Sequence, residues 1–451
     1  MQTGDGLLVR LNPVAGGVSP KELIGLCESA LRHGNGVVEV TARGSLQIRG
    51  LTAESATMLA AEVDVLGIAV RTGVPVETGP LAGLDPEEIS DPSALAARIR
   101  EAIDAAGLGA RLGPKVSVVV DGGGQLNMST VQADVRLTAL APCQWLLAVA
   151  GDARTATLVG AVAETDACDA VLAILHAIAD RGREARARDL DLSALPSPLW
   201  GGSASDIRGA DVERRGGGVS PAPAATPTPA LCADPPHKGE GKVPLGALAL
   251  ANNSHALILG LPFGSMPAAR LIELTKIAEG FGATEIRPAL QRSLILLGLA
   301  ESACAPLLAE AEKLGFVTDP LDPRRMIAAC PGAPACASGR IAARELAEEI
   351  ARESGSALDP SVTLHISGCA KGCAHPARAA LTLVGDEKGA GLVVDGTAKT
   401  LPAAYTPGYE LARGFGRVAA LFMNERHPGE TAAQCIERLG ESRLAAAFQQ
   451  G

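Results

Sequence analysis

The sequence predicts an α+β protein made of two pseudo-symmetric ferredoxin-like half-domains, each followed by a larger α/β domain. Three observations predict it. A strand–helix–strand–strand–helix–strand pattern opens the chain. The same elements return in the same order about 247 residues later. A Pro/Gly-rich stretch with few apolar residues separates the two copies.

Residues 7–11 read as a short apolar strand. Ser19, Pro20 and Glu22 make a helix start: a capping hydroxyl, a first-turn proline, and a glutamate three residues after the serine. That helix is expected to reach Arg32 and stop at Gly34. Residues 37–41 and 46–49 alternate as paired strands, 52–66 form a second helix, and 68–71 a last strand. In the second copy, residues 255–261 match the first strand and 267–281 the helix, with Pro267 in the place of Pro20. Residues 282–287 parallel 36–41, and 293–299 parallel 45–51 after a two-residue insertion.

The larger regions correspond loosely. Strands are expected at 115–120 and 145–149 in the first, around the turn from Asp121 to Gly124. In the second they fall at 363–366, 381–384 and 392–394, with helices at 339–352 and 431–448. The resulting division is half-domain 1–75, α/β domain 76–200, half-domain 244–320 and α/β domain 321–451. Residues 201–243 between them, including Cys232 and His237, are read as a disordered linker.

Composition narrows the function. A net charge of −10 gives no support to nucleic-acid binding. Hydrophobic residues are 47% and aromatics 2%, so the cores must be aliphatic. The N-terminus does not look like a signal peptide. The longest uncharged segment, 243–269, is interrupted by Asn252, Asn253, His255 and Pro262 and makes a poor membrane span. A cytoplasmic protein is expected, where cysteines more often ligate metals than form disulfides.

Four cysteines carry the chemistry: Cys330-Pro-Gly-Ala-Pro-Ala-Cys336, then Cys369-Ala-Lys-Gly-Cys373 after 32 residues. Four thiolates are what a [4Fe–4S] cluster needs, and a C-x5-C pair lies outside the spacing typical of structural zinc. A zinc site with four cysteine ligands and four ordinary buried cysteines are the competing readings. Only the second copy carries the quartet; Cys143 and Cys168 of the first copy are assigned to packing.

On the twice-repeated scaffold, this quartet resembles the sirohaem-dependent nitrite and sulfite reductases. Thr41, Arg43 and Gln47 resemble that family's T-x-R-x-x-x-Q macrocycle-binding stretch. Within the superfamily, the runs Gly4-Asp-Gly-Leu-Leu-Val-Arg10, Pro80-Leu-Ala-Gly-Leu-Asp85 and Ser367-Gly-Cys-Ala-Lys-Gly-Cys-Ala-His-Pro376 are most similar to the precorrin-3B synthase branch. The resemblance implies nitrite/sulfite reductase-type α/β domains and O2-dependent hydroxylation of precorrin-3A at C-20 with γ-lactone formation, in aerobic cobalamin biosynthesis. It also implies one [4Fe–4S] cluster, a mononuclear non-haem iron and NADH as formal reductant. The alternative is a sirohaem-dependent nitrite or sulfite reductase. Two departures weigh against that alternative: Ser117 stands where a reductase has a second lysine, and no arginine directly precedes the Pro80 segment.

Carried onto this chain, the family pattern makes Cys330, Cys336, Cys369 and Cys373 the cluster ligands and Arg43 and Lys115 the catalytic cations. Arg10, Thr41, Arg43, Gln47, Arg49, Lys115, Arg287 and Arg292 are the candidates for gripping the carboxylates of a precorrin, a task suited to the planar guanidinium fork. Thr41 and Gln47 could equally stabilise a turn. Most of the arginines could be ordinary surface residues. His375 is the candidate iron ligand, with His365 also near the cluster loop. No strand–G-x-G-x-x-G–helix site for NADH is present. Electrons are therefore expected from a separate donor.

Overall fold

In the computed structural model the described residues are 2–14, 16–191 and 243–449. The expected linker up to residue 242 lies outside them, as do Cys232 and His237. The described residues form two bodies, one within Met1–Val70 and Lys238–Gly451, the other within Arg71–His237.

The first body holds both half-domains. One sheet runs in the order Gln2–Thr3, Gly6–Leu11, Leu46–Leu51, Val37–Val40 and Ser265–Pro267; the other runs Gly246–Ala249, His255–Gly260, Ser293–Leu299 and Glu285–Ala289. Neighbouring strands are antiparallel throughout both. The Ser19–Glu22 capping box forms as expected, with Ser19 N–H donating to Glu22 Oε2 at 2.6 Å at the start of helix Pro20–His33.

The halves exchange strands reciprocally. Ser265 lies opposite Glu39, and Val18 opposite Ile286; these are the same pairing with the copies swapped, displaced by about 247 residues. Arg43 bridges Leu290, its own counterpart, so the pseudo-twofold relation passes through that turn. Helices Pro20–His33 and Ala268–Gly280 pack on each other, and Leu23, Leu26, Leu271 and Leu274 belong to one buried core.

A third sheet completes this body. Its order is Ile327–Ala329, Leu364–Ser367, Ala379–Asp386, Gly389–Gly396 and Ala404–Thr406, parallel across the first three strands and antiparallel after. Helices Ala343–Ser354, Leu411–Glu425 and Ala432–Gln449 bury Ile350, Phe415, Phe422 and Phe448 in its core.

The second body repeats that sheet. Val76–Thr78, Val118–Asp121, Ala133–Ala141, Gln144–Gly151 and Thr157–Ala163 follow the same order and the same parallel-then-antiparallel pattern. Its core centres on Trp145, with helices Ser93–Ala105 and Glu164–Asp180 against it. The loose correspondence read from the sequence is a full topological repeat.

Two expected elements differ. Residues 68–71 make a single bridge, Pro13 to Val70, rather than a strand. The helix expected from residue 339 begins at Ala343. Its first turn is forestalled because the backbone is engaged elsewhere: Gly339 N–H donates to Cys336 O at 2.7 Å, and Arg340 N–H to Gly368 O at 2.7 Å. The helix start expected at residue 339 is therefore replaced by a loop tied to both cysteine segments.

Candidate metal centre

Two parallel strands bring the quartet together. Ile327–Ala329 runs directly into Cys330, and its neighbour Leu364–Ser367 runs into Gly368 and Cys369. Parallel neighbours need a long crossover, supplied here by Ala343–Ser354, so residues distant in sequence leave the sheet at the same end. Cys330 N–H donates to Ile366 O at 3.2 Å, and Gly368 N–H donates to Cys330 Sγ at 3.1 Å. Ser367 Oγ fixes the second loop by donating to Cys369 O at 2.7 Å. Burial pushes the Cys373 thiol up; Cys330, Cys369 and Cys336 push it further, against the opposing charge of Arg49. The four sulfurs thus share one electrostatic neighbourhood.

The residues fit a [4Fe–4S] cluster. The donor set is all thiol, and a backbone N–H already points at sulfur, as anionic cluster ligands require. Close approach also demands glycine: a Cβ on Gly368 would lie 3.0 Å from Gly332 Cα and 3.5 Å from Cys330 Sγ, and one on Gly4 would collide with Cys336 Sγ. No disulfide joins the nine described cysteines.

Around the quartet the first half-domain contributes a charge network. Arg49, buried in strand Leu46–Leu51, donates from Nε and Nη2 to the two carboxylate oxygens of Asp5 at 2.9 and 2.8 Å. Its Nη1 reaches Glu39 Oε2 at 3.5 Å, and Arg344 donates to Glu39 Oε1. Burial alone would raise Asp5, but hydrogen bonds from Arg49 and Thr3 hold it below the usual carboxylate range. Gln47 accepts from Arg10 Nη2 at 2.7 Å and donates to Glu39 Oε2 at 3.1 Å. The donors of Arg49 therefore face carboxylates of its own chain. Asp5, Glu39 and Arg344 were missed in the sequence; two buried carboxylates beside candidate arginines were the available signal.

The other candidates divide by surroundings. Thr41 shapes the turn, with Ser45 N–H donating to its Oγ1 at 3.0 Å. Arg43 is exposed on the turn where the halves cross, held by Gln291 N–H donating to Ala42 O at 2.9 Å. Arg287 pairs with Glu285 at 2.7 Å, and Arg292 donates to Ala374 O, next to Cys373, at 2.9 Å. Lys115 is exposed on a turn of the second body. His375 Nε2 lies 3.2 Å from Arg378 O. Its ring meets that of His365 edge-on at 5.8 Å. His365 is fully buried, with no hydrogen-bond partner for its ring nitrogens among the described residues; desolvation, then His375 and Arg292, lower it to about 4, so it is neutral at pH 7. An open groove of about 800 Å³ lies beside Cys369, flanked by Ser338, Arg340, Lys371 and Tyr405.

In the second body the equivalent loops carry carboxylates instead. Strands Val76–Thr78 and Val118–Asp121 again leave side by side, and in the loops that follow them Asp85 accepts from Gln125 N–H at 2.6 Å. Burial raises Glu88 to about 7; a bond from Gly83 N–H opposes this, and Asp91, Asp85 and Asp121 reinforce it. A carboxyl that holds its proton more tightly when folded contributes stability below its unfolded value near 4.5, and loses it as pH rises through about 7. Glu88→Gln is therefore expected to gain in melting temperature over the wild type as pH rises from about 4.5 to 7, measured by thermal unfolding of the full chain; a constant difference would refute it.

Residues 1–65 match the family of nitrite/sulfite reductase ferredoxin-like half domains. A precorrin-3B synthase of Sinorhizobium sp is 38% identical across 100% of this chain and 93% of its own length. A ferredoxin–nitrite reductase of Synechococcus elongatus is 25% identical over 84% of this chain and 76% of its own. The solved structure of the Mycobacterium tuberculosis NirA protein superposes with a TM-score of 0.70 at 20% identity, covering 97% of this chain and 84% of that one. The fold is that of the nitrite/sulfite reductases.

Proposed function

The chain belongs to the precorrin-3B synthase family, and on that premise we propose that this oxidoreductase hydroxylates precorrin-3A at C-20, using O2, and closes the γ-lactone. The observation that carries the reading is that a cysteine quartet and the Thr41–Gln47 segment belong to one body, with Arg49 of the adjoining strand close enough for its charge to act on Cys373. Cys330, Cys336, Cys369 and Cys373 would hold a [4Fe–4S] cluster. Such a cluster, when bound, passes electrons singly.

The protein's own side chains bind and orient. Arg43 and Arg10 stand near enough that, after burial, the charge of Arg43 lowers the Arg10 pKa. Two close guanidinium groups suit a substrate bearing several carboxylates. Gln47 holds Arg10 in place, and Thr41 holds the turn that presents Arg43. Lys115 is proposed as a further cation, with Arg287 and Arg292 in lesser roles. The pseudo-twofold relation puts Leu290 opposite Arg43, so the cationic turn occurs once and serves one substrate.

For a mononuclear non-haem iron we propose His375 as one ligand; among the described residues no group of three His, Cys, Asp or Glu is arranged to hold an ion, so the remaining donors would have to come from the substrate. Reducing equivalents derived from NADH arrive in this reading from a separate donor, received at the groove where Arg340 and Lys371 adjoin Cys369. Among the described residues no helix is long and apolar enough to cross a membrane. We place the protein in the cytoplasm.

The test is a precorrin-3A assay under air with anaerobically purified protein. Cluster absorption with O2-dependent product supports the proposal; intense haem-type bands with nitrite or sulfite reduction would support the reductase alternative. Arg43→Ala is expected to raise KM for precorrin-3A about tenfold, the loss of one charge-assisted contact, and to leave the cluster spectrum unchanged. An unaltered KM would remove Arg43 from the substrate site.

A further inference from the structure

We propose that the N-terminal hairpin turn is the seat of the cluster, with Gly4 closing over Cys336 and Asp5 acting as a positioning residue that holds Arg49 beside it to set the reduction potential. The inference rests on the cluster assignment above.

The turn is built for close approach. Thr3 pairs with Gly6 and Gln2 with Leu7, leaving Gly4 and Asp5 at the tip. Ala337 N–H donates to Gly4 O at 2.9 Å, which fastens the tip to the residue after Cys336. The missing side chain is required: a Cβ on Gly4 would strike Cys336 Sγ and lie 3.1 Å from both Ala337 N and Ser338 N. A segment more than three hundred residues away in sequence thus covers one ligand sulfur.

The adjoining residue is locked in orientation. Thr3 Oγ1 donates to Asp5 Oδ1 at 2.7 Å, and Asp5 takes both prongs of Arg49. The side chains are 7% and 11% exposed, so the pair interacts in a poorly solvated setting where charge acts over distance. Glu39 and Arg344 complete a set of two anions and two cations. That neutrality makes a sign test available. Removing the Asp5 charge leaves a surplus positive charge near the cluster, favouring its more negative reduced state. Removing the Arg49 charge does the opposite.

The experiment is redox titration of the full chain, purified anaerobically, for wild type, Asp5→Asn, Arg49→Gln and Arg49→Lys, followed by the electron paramagnetic resonance of the reduced cluster. Asp5→Asn is expected to raise the midpoint potential and Arg49→Gln to lower it, each by about tenfold in the reduction equilibrium, about 59 mV for one electron. Arg49→Lys, which keeps the charge, should return the value toward wild type. A structural role alone would not give opposite signs. Gly4→Ala is expected to bleach several-fold faster in air with unchanged secondary structure, read by visible absorbance and circular dichroism. Wild-type protein without iron and sulfide would overturn the cluster assignment and this inference together. A normal cluster whose potential is unmoved in both charge variants, or whose air lifetime is unmoved in Gly4→Ala, would overturn this inference alone.

Discussion

Cys373→Ser is expected to yield a folded protein that purifies with at least tenfold less iron and acid-labile sulfide than the wild type and does not turn over precorrin-3A. The residue is exposed overall although its thiol is partly desolvated, so replacing sulfur with oxygen costs the fold no more than about 0.5 kcal/mol. The chemistry suffers far more heavily. A serine hydroxyl stays protonated where a thiol becomes thiolate, and one corner of the cubane loses its anionic ligand. Two controls separate ligand loss from general damage. Cys143→Ser, exposed in the second body, should keep both cluster and activity. Cys435→Ala, in a buried position of helix Ala432–Gln449, should lower the melting temperature while retaining iron. A Cys373→Ser protein with a full cluster and O2-dependent product would remove this cysteine from the electron route.

Local patterns were legible where a single element decides its own conformation. The capping box at Ser19 and the strand pair read at residues 37–41 and 46–49 depend on near neighbours, and the helix start and strands Val37–Val40 and Leu46–Leu51 stand within two residues of those bounds. The sequence grouped four cysteines as one site because two close pairs sit in Gly/Pro loops, and the structure brings those loops to the same end of one sheet. What failed was decided by distant partners. Residues 339–342 have helical composition, yet their backbone groups serve Cys336, Gly368 and Ala333 instead. Strand Ala133–Ala141 went unread because it is buried on both faces over most of its length and does not alternate. Helix Leu411–Glu425 likewise went unread, since no side chain caps its start and packing in the third sheet's core fixes it.

The candidate site shows the same division. Arg10, Arg43 and Arg49 were found by motif, but sequence spacing cannot say which cation faces solvent and which faces a carboxylate. Arg43 is exposed, whereas Arg49 is enclosed by Asp5 and Glu39. Loss of the quartet from the first copy also has a structural counterpart. There Asp85 accepts from a loop amide and Asp121 accepts from Gly123 and Met128 N–H, at 3.1 and 3.0 Å, so the emptied loops satisfy their backbone donors with carboxylates.

Glu39→Ala is expected to be the most destabilising single change in the first body outside its apolar core. This carboxylate, 6% exposed, accepts from Arg344 at the start of the crossover helix, from Gln47 and from Arg49. Its backbone meanwhile pairs with Ser265 of the second half-domain. Removing it strips Arg344 of its carboxylate partner and Gln47 of an acceptor, while Arg49 keeps both bonds to Asp5; breaking one such pair costs about 3–5 kcal/mol when both partners are buried. Arg344 is 26% exposed and can turn toward water, which places the expected loss near 3 kcal/mol and the fall in melting temperature near 6–12 °C. Glu39→Gln keeps the shape and one acceptor and should lose less than half as much. In a double-mutant cycle with Arg344→Ala the two losses should fail to add by at least 0.5 kcal/mol, because each variant already breaks the same bond. Additive losses, or a Glu39→Ala melting temperature within about 1 °C of wild type, would mean that the carboxylate holds nothing together. The expected non-additivity has a functional side: Arg344 follows the Cys336 loop by only a few residues, so a half-domain that loosens at Glu39 also loosens its hold beside the cluster ligands.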